Sequence, residues 1–329
     1  MNAGGLPGVL EQARELVTPA LEQALSRLEP GIRTVTDYHF GFADGQTAGK
    51  AVRPALALLS AEAAGRPVEI GLDGAVAVEL VHNFSLFHDD IMDRDDERHH
   101  RATAWTVFGE ARAILAGDAL ATLSLQVLLD TVSPERVRAA GLLADATQRM
   151  ITGQAQDLAL EGRPDVTLEE CLTMLSGKTA ALVSCASAIG AVLAGAPDEL
   201  VGRLLAFGEH VGIAFQAVDD QLGIWGEPEL TGKPAWSDLR RRKSSLPVAA
   251  ALQLDGTELR TLLERPSLSE PELARAAALV EGAGGRAWAA EEAERRLQAA
   301  LAELDAVDIP AASRDGLAAL ARFIVNRQF

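Results

Sequence analysis

Asp89, Asp90 and Asp93 stand within one short run, His88-Asp89-Asp90-Ile91-Met92-Asp93, at the end of a long apolar stretch. A separation of four stacks Asp89 and Asp93 on one helical face, with Asp90 beside them. Carboxylates gathered at a helix C-terminus meet the negative end of the helix dipole, so they cost stability unless cations occupy the place. An all-oxygen ligand set suits Mg²⁺, which makes Asp89 and Asp93 the first candidate ligands. A second run, Phe215-Gln216-Ala217-Val218-Asp219-Asp220-Gln221-Leu222-Gly223, repeats the design much further along the chain, with Asp219 as a candidate ligand and Asp220 beside it. Either run alone reads as a solvated acidic helix end. Two of them, both embedded in apolar helices, could face one another across a bundle and hold one anionic head through metal ions.

Cations accompany the acids. Lys50, Lys178, Lys233 and Lys243 would each be an ordinary solvated side chain if taken singly. His82 on an apolar helix reads by default as a satisfied core histidine, yet it precedes Asp89 by two helical turns and so shares its side.

The elements that must position these groups are helices. Apolar residues recur at helical spacing almost throughout, and no alternating strand-like run stands out. Breakers predict helices over Leu6 to Leu28, Arg53 to Ala64, Gly74 to Met92, Trp105 onward, Pro134 to Ala159, Leu168 to Leu175, Thr179 to Ala194 and Pro197 to Ile224. Between them lie the turn-rich Phe40 to Gly49, the charged Arg94 to Arg101, and Trp225 to Lys243 with its glycines and prolines. Helices return from Leu246, with breaks at Pro266, Gly282 to Gly285 and Pro310. With no repeat and no linker, the economical reading is all-α: one compact helical domain over residues 1–329, the alternative being a boundary near residue 245.

The chain has 329 residues, is 48% hydrophobic and carries a net charge of −17. Such a field repels nucleic acid and anionic membrane surfaces, so an anionic substrate needs local cations or metal. Cys171 and Cys185 make neither a metal cluster nor a disulfide scaffold; they read as buried thiols in a reducing cytoplasm. Met1 to Leu10 lacks a basic region followed by an apolar run, so no signal peptide is expected. No charge-free apolar stretch reaches membrane-spanning length, Thr179 to Ala196 coming nearest, so stable membrane insertion is not expected.

Asp89-Asp90-x-x-Asp93 followed by Arg98, together with Phe215-Gln216-x-x-Asp219-Asp220, resembles the two aspartate-rich motifs of trans-prenyl diphosphate synthases. Gly49-Lys50-x-x-Arg53-Pro54 and Glu79-Leu80-Val81-His82 resemble that family's isopentenyl diphosphate site. Gly153-Gln154-x-x-Asp157, Lys178-Thr179, Gly232-Lys233-Pro234 and Arg242-Lys243-Ser244 match family positions in order, so the resemblance spans roughly residues 45 to 250 and is most like bacterial geranylgeranyl diphosphate synthases.

The resemblance implies a class I isoprenoid synthase bundle with a central cavity, homodimeric, using three Mg²⁺ held by Asp89, Asp93 and Asp219. Arg98, Lys178 and Lys233 would stabilise the departing pyrophosphate, which itself takes the proton that completes the bond. Lys50, Arg53 and His82 would hold isopentenyl diphosphate, and Thr179, Gln216 and Lys243 complete the substrate contacts. The growing tail should run from Asp89 toward the helix N-terminus, past Ser85 and beside Phe84, an aromatic-at-minus-five pattern that suggests a twenty-carbon product.

Two departures stand out. Arg98 is followed by His99 where the family usually has a second arginine, which predicts weaker binding of isopentenyl diphosphate near neutral pH. The second acidic run ends in Gly223 where a third aspartate is common. A class I terpene cyclase shares the helices and metals but does not need Lys50, Arg53 and His82; a noncatalytic partner with this fold would have lost the carboxylates.

Overall fold

The structure, a computed structural model, describes residues 6–42, 51–98, 101–163, 165–227, 234–265 and 267–325. Among them it is all-α apart from two short antiparallel strands, Glu97–Arg98 and Arg101–Ala102. The predicted helices are found, several of them to within a residue or two, as at Val52–Ala63, Leu72–Met92, Pro134–Leu160, Leu168–Leu175 and Asp198–Trp225.

The chain divides into two compact units. One comprises Met1–Thr147, Cys185–Leu205 and Ala306–Leu320. Its axis is Leu72–Met92, whose residues Ala75, Val76, Ala77, Val78, Leu80 and Val81 are all at most 1% exposed. A helix buried on nearly every side needs no apolar stripe, which explains its weak amphipathicity. It packs chiefly on Glu110–Leu129 and Val52–Ala63. Small residues set the close approaches: a Cβ on Gly190 would come within 2.0 Å of the Ala57 carbonyl oxygen, and Ser60 seals this crossing by donating to Ala57 O (2.8 Å) and accepting from Ala191 N (3.2 Å).

The second unit comprises Gln148–Ser184, Ala206–Asp305 and Ala321–Phe329. It holds two apolar clusters, one around Ala251, Leu273, Ala276 and Val280, the other joining Cys171, Met174, Ala217, Leu246 and Ala293. Its Leu168–Leu175 helix begins in a capping box between Thr167 and Glu170, a local signal that fixes the start.

Two differences from the sequence reading matter. The segment Pro30–Phe40 is a further helix, opened by the Glu29 side chain accepting from Ile32 N with Pro30 at its first position, and closed by Gly41 at φ 79°. Three helical stretches, Val68–Met92, Glu110–Leu129 and Leu168–Leu193, are long and apolar enough by length and composition to cross a membrane, although 61%, 44% and 83% of their apolar windows are buried within the fold. The expectation that none reaches that length admitted no charge at all, and these stretches carry some, Glu79 among them.

Candidate active site

The first acidic helix ends without glycine. Asp93 caps it, Arg94 turns left-handed at φ 55°, Arg94 N donates to Ile91 O, and Asp95 N donates to Asp90 O, a Schellman closure with arginine where glycine is usual. This closure divides the three carboxylates. Asp90 is 2% exposed, and its Oδ1 accepts from Arg98 Nε at 2.9 Å and Nη2 at 2.6 Å. Burial pushes its carboxyl pKa up, against the pull of the Arg98 hydrogen bonds. Asp89 is partly accessible and Asp93 exposed.

Arg98 lies on the strand paired with Arg101–Ala102. A polar chain along the Leu72–Met92 helix joins His39, Asn83 and Glu79. His39 Nε2 meets Asn83 Oδ1 at 3.1 Å, and Asn83 Nδ2 donates to Glu79 O at 2.8 Å and to Glu79 Oε1 at 3.2 Å. His82 is driven well below the usual histidine range by burial and then by the charges of Arg53 and Arg98, which favours the neutral ring near pH 7. Burial also raises the Glu79 carboxyl, with Arg53 opposing. Lys50, His99 and Lys233 lie outside the described residues.

In the second unit two glycines make the site. A Cβ on Gly153 would come within 2.0 Å of Lys178 N, and one on Gly177 within 3.0 Å of Gly153 Cα, so two helices touch backbone to backbone. At that crossing Ser176–Ala180 widens into a π-helical turn, and the Lys178 ammonium reaches Asp157. Thr179 Oγ1 donates to Gln216 Oε1 (2.9 Å), and Gln216 Nε2 donates to Asp220 Oδ1 (2.9 Å). Asp220 is fully buried; it also accepts from Lys243 Nζ on Oδ1 and from Leu246 N on Oδ2, each at 2.9 Å. Burial works against charge on Lys243, but Asp220, Asp238 and Asp219 outweigh it and hold its pKa well above the usual lysine value. Asp219 itself is partly accessible.

Asp238 escaped the sequence reading. It sits 3.7 Å from Lys243 Nζ, beside Gly223. All four non-glycine residues with left-handed φ among the described residues border these motifs: Ala51 before Arg53, Arg94 after Asp93, and Trp236 and Arg242 around Asp238 and Lys243. Such conformations cost free energy and gather where function fixes the backbone.

For the tail, Phe84 is 9% exposed and meets His88 edge-on with ring centroids 4.9 Å apart. Ser85 is partly accessible, and its hydroxyl folds back to donate to His82 O at 2.8 Å.

Asp89 and Asp93 offer Mg²⁺ an accessible all-oxygen pair one helical turn apart, and the donor set fits that ion. Among the described residues no three His, Cys, Asp or Glu side chains form a ready-made metal cluster, so a metal here would draw further ligands from water and substrate oxygens.

The polyprenyl synthetase family model matches residues 40–280. The chain is 47% identical to a (2E,6E)-farnesyl diphosphate synthase and 43% identical to a geranylgeranyl diphosphate synthase, both of Mycobacterium tuberculosis and each over 97% of this chain and 93% of the relative. Its fold is similar to the crystal structure of a polyprenyl synthetase from Streptomyces coelicolor, with a TM-score of 0.92, 52% identity, and coverage of 97% of this chain and 99% of that one. The chain belongs to the polyprenyl synthetase family and is a trans-prenyl diphosphate synthase, an enzyme that transfers prenyl groups.

Proposed function

We propose that this enzyme condenses isopentenyl diphosphate with allylic diphosphates in a Mg²⁺-dependent reaction and releases geranylgeranyl diphosphate, the twenty-carbon product. One observation carries the reading: the carboxylates of both acidic runs divide alike. Asp90 and Asp220 are buried and anchor Arg98 and Lys243, whereas Asp89, Asp93 and Asp219 are accessible to solvent.

In this reading Asp89, Asp93 and Asp219 hold three Mg²⁺, and bound Mg²⁺ supplies the charge that neutralises the leaving pyrophosphate. Arg98, Lys178 and Lys233 bind the same pyrophosphate, and Asp157 and Asp90 hold Lys178 and Arg98 in place. Lys50, Arg53 and His82 orient the isopentenyl diphosphate so that its double bond meets the allylic carbon in a cavity kept poor in water. Neutral His82 can donate one hydrogen bond to a phosphate oxygen without titrating. Gln216 and Thr179 extend the contacts, and no protein base is nominated.

The relatives named as farnesyl diphosphate synthases support a second reading, a fifteen-carbon product from the same machinery. A homodimer is supported by an apolar surface on Glu110–Leu129, where Ile114, Leu115, Leu125 and Leu129 are exposed. A cytoplasmic place is supported by two free, buried thiols, Cys171 and Cys185, whose pKa values burial pushes up to about 12.

Incubation with isopentenyl diphosphate, Mg²⁺ and dimethylallyl, geranyl or farnesyl diphosphate, with products separated by length, tests the proposal. A product chain of twenty carbons is expected. Hydrocarbons formed from an allylic diphosphate alone would indicate a cyclase and end the reading.

A further inference from the structure

The turn that carries Lys178 and Thr179 is held between two glycines. A Cβ on Gly153 would come within 2.0 Å of Lys178 N, and one on Gly212, in the helix Asp198–Trp225, within 2.5 Å of Ala180 Cα. Backbone thus packs on backbone to either side of Ser176–Ala180, the residues that widen into a π-helical turn. A π turn holds one residue more than an α turn, so a slip to regular α winding would swing the later side chains by about 100° around the helix axis. Lys178 would then leave Asp157, or Thr179 would leave Gln216. The glycines bring the backbones together but supply no side chain to fix this winding; polar contacts at the two ends of the turn do.

Toward its end, Thr179 Oγ1 donates to Gln216 Oε1 at 2.9 Å. At its start, the Ser176 hydroxyl donates to Glu209 Oε1, and Arg149 Nη2 donates to Ser176 Oγ at 3.1 Å and to Glu209 Oε2 at 3.0 Å. Side chains from three helical segments close a ring there. The spacing agrees with it: Glu209, Gly212 and Gln216 fall at i, i+3 and i+7, one face of one helix, and Arg149 precedes Gly153 by one turn. The Asp198–Trp225 helix therefore grips the turn on both sides of Gly212. The Arg149 and Glu209 side chains are 49% and 25% exposed, and an ion pair so open to water adds little to stability. What the ring supplies is placement.

We propose that Ser176, Glu209 and Arg149 are positioning residues that fix the winding of the Ser176–Ala180 turn and thereby aim Lys178 and Thr179 at the allylic diphosphate. The inference rests on the role given to Lys178 under Proposed function.

Steady-state kinetics of the full chain with both substrates varied, with a thermal melt of each variant, test it. Ser176→Ala is expected to lower kcat about tenfold, the scale of one lost hydrogen bond to a charged group, while the isopentenyl diphosphate KM stays within about twofold and the melting temperature stays near that of the wild type. Ser176→Thr, which keeps the hydroxyl, should recover most of the rate, and Glu209→Gln should lose rate with the same split. In a Lys178→Ala background Ser176→Ala should cost much less than it does alone, because the ring acts through Lys178. A kcat unchanged in Ser176→Ala, or a loss that adds in full to that of Lys178→Ala, would overturn the inference. If Ser176→Ala melts far below the wild type, Glu209→Gln decides by the same criteria. A Lys178→Ala chain with the wild-type rate takes down the role of Lys178 and this inference with it, whereas a slow Lys178→Ala beside a fully active Ser176→Ala takes down this inference alone.

Discussion

The Asp238 carboxylate fills the space that a side chain at Gly223 would need: a Cβ there would lie 2.2 Å from Asp238 Oδ2 and 2.3 Å from its Cγ. The glycine that ends the second acidic run therefore makes room for an acid brought in by the Ser237–Arg240 turn, and that acid helps hold Lys243. Gly223→Ala should cost about 1–3 kcal/mol through overpacking and lower activity by displacing Lys243. Gly223→Asp, which writes in the more usual third aspartate, should be worse because it sets two carboxylates against each other. In an Asp238→Ala background Gly223→Ala should cost little more, so the pair is non-additive in a denaturant-melt cycle. Additive losses would separate the two residues.

The division of labour within the first acidic run predicts opposite signs for neighbouring substitutions. Asp90→Asn weakens a hydrogen bond to a charged group at a buried site, so it should destabilise by about 1–3 kcal/mol and raise the allylic diphosphate KM through Arg98. Asp89→Asn relieves negative charge at a helix C-terminus, so thermal stability should hold or rise slightly. Its kcat should nevertheless fall by roughly two to three orders of magnitude, the scale for losing one stabiliser of transition-state charge, and its Mg²⁺ requirement should rise. Thermal melts and a Mg²⁺ titration check both. An active Asp89→Asn, or one as unstable as Asp90→Asn, counts against the scheme.

Much of the helical layout is legible in the sequence. The four-residue spacing of Asp89 and Asp93, and the breakers around Leu168–Leu175 and Leu72–Met92, are local signals, and local signals fix helices. What spacing does not reveal is which carboxylate faces inward. Asp90 and Asp89 are adjacent in sequence, and only the strand bearing Arg98 decides that Asp90 is the anchored one. Asp238 and Asp157 find Lys243 and Lys178 through contacts that no periodicity encodes. The Pro30–Phe40 helix did leave a trace, proline at its first position and Gly41 beyond its last, but its polar Arg33, Thr34 and Asp37 blur the apolar period. With it went Tyr38 and His39.

His39 gives the pH prediction. Burial first, then the Arg98 charge, pull its pKa from 6.5 to about 3, while Asn83 pulls the other way and Arg101 adds to the lowering. Unfolding frees the ring to take up a proton, so stability from this group is complete above pH 6.5 and is lost as pH falls from there toward 3. His39→Gln keeps a neutral polar group and removes that uptake. Its stability should therefore decline less steeply over this interval, by about one proton or at most about 1.4 kcal/mol per pH unit, whatever its absolute stability at pH 7. Urea melts at several pH values measure the slopes, and equal slopes would show that His39 is not held neutral.

Product length should turn on Ser85 and Phe84 if, as the family resemblance implies, the tail grows from Asp89 toward the helix N-terminus, the direction in which helical side chains lean. Ser85 lies one turn before Asp89, small, partly accessible and folded back on the His82 carbonyl, so it leaves the path open. Phe84 is buried and locked edge-on against His88, and His88 in turn is packed over Gly117, where a Cβ would come within 2.5 Å of its Nε2. The aromatic wall thus has no slack on its far side and should act as a fixed stop. Ser85→Phe adds a ring in the open path and should shorten the product by one isoprene unit or more; Phe84→Ala removes the stop and should lengthen it. Chromatography of the dephosphorylated alcohols reads both outcomes. A wild type that already ends at fifteen carbons, with Phe84→Ala extending it to twenty, would keep the stop and correct the length, whereas an unchanged product in both variants would remove these residues from length control.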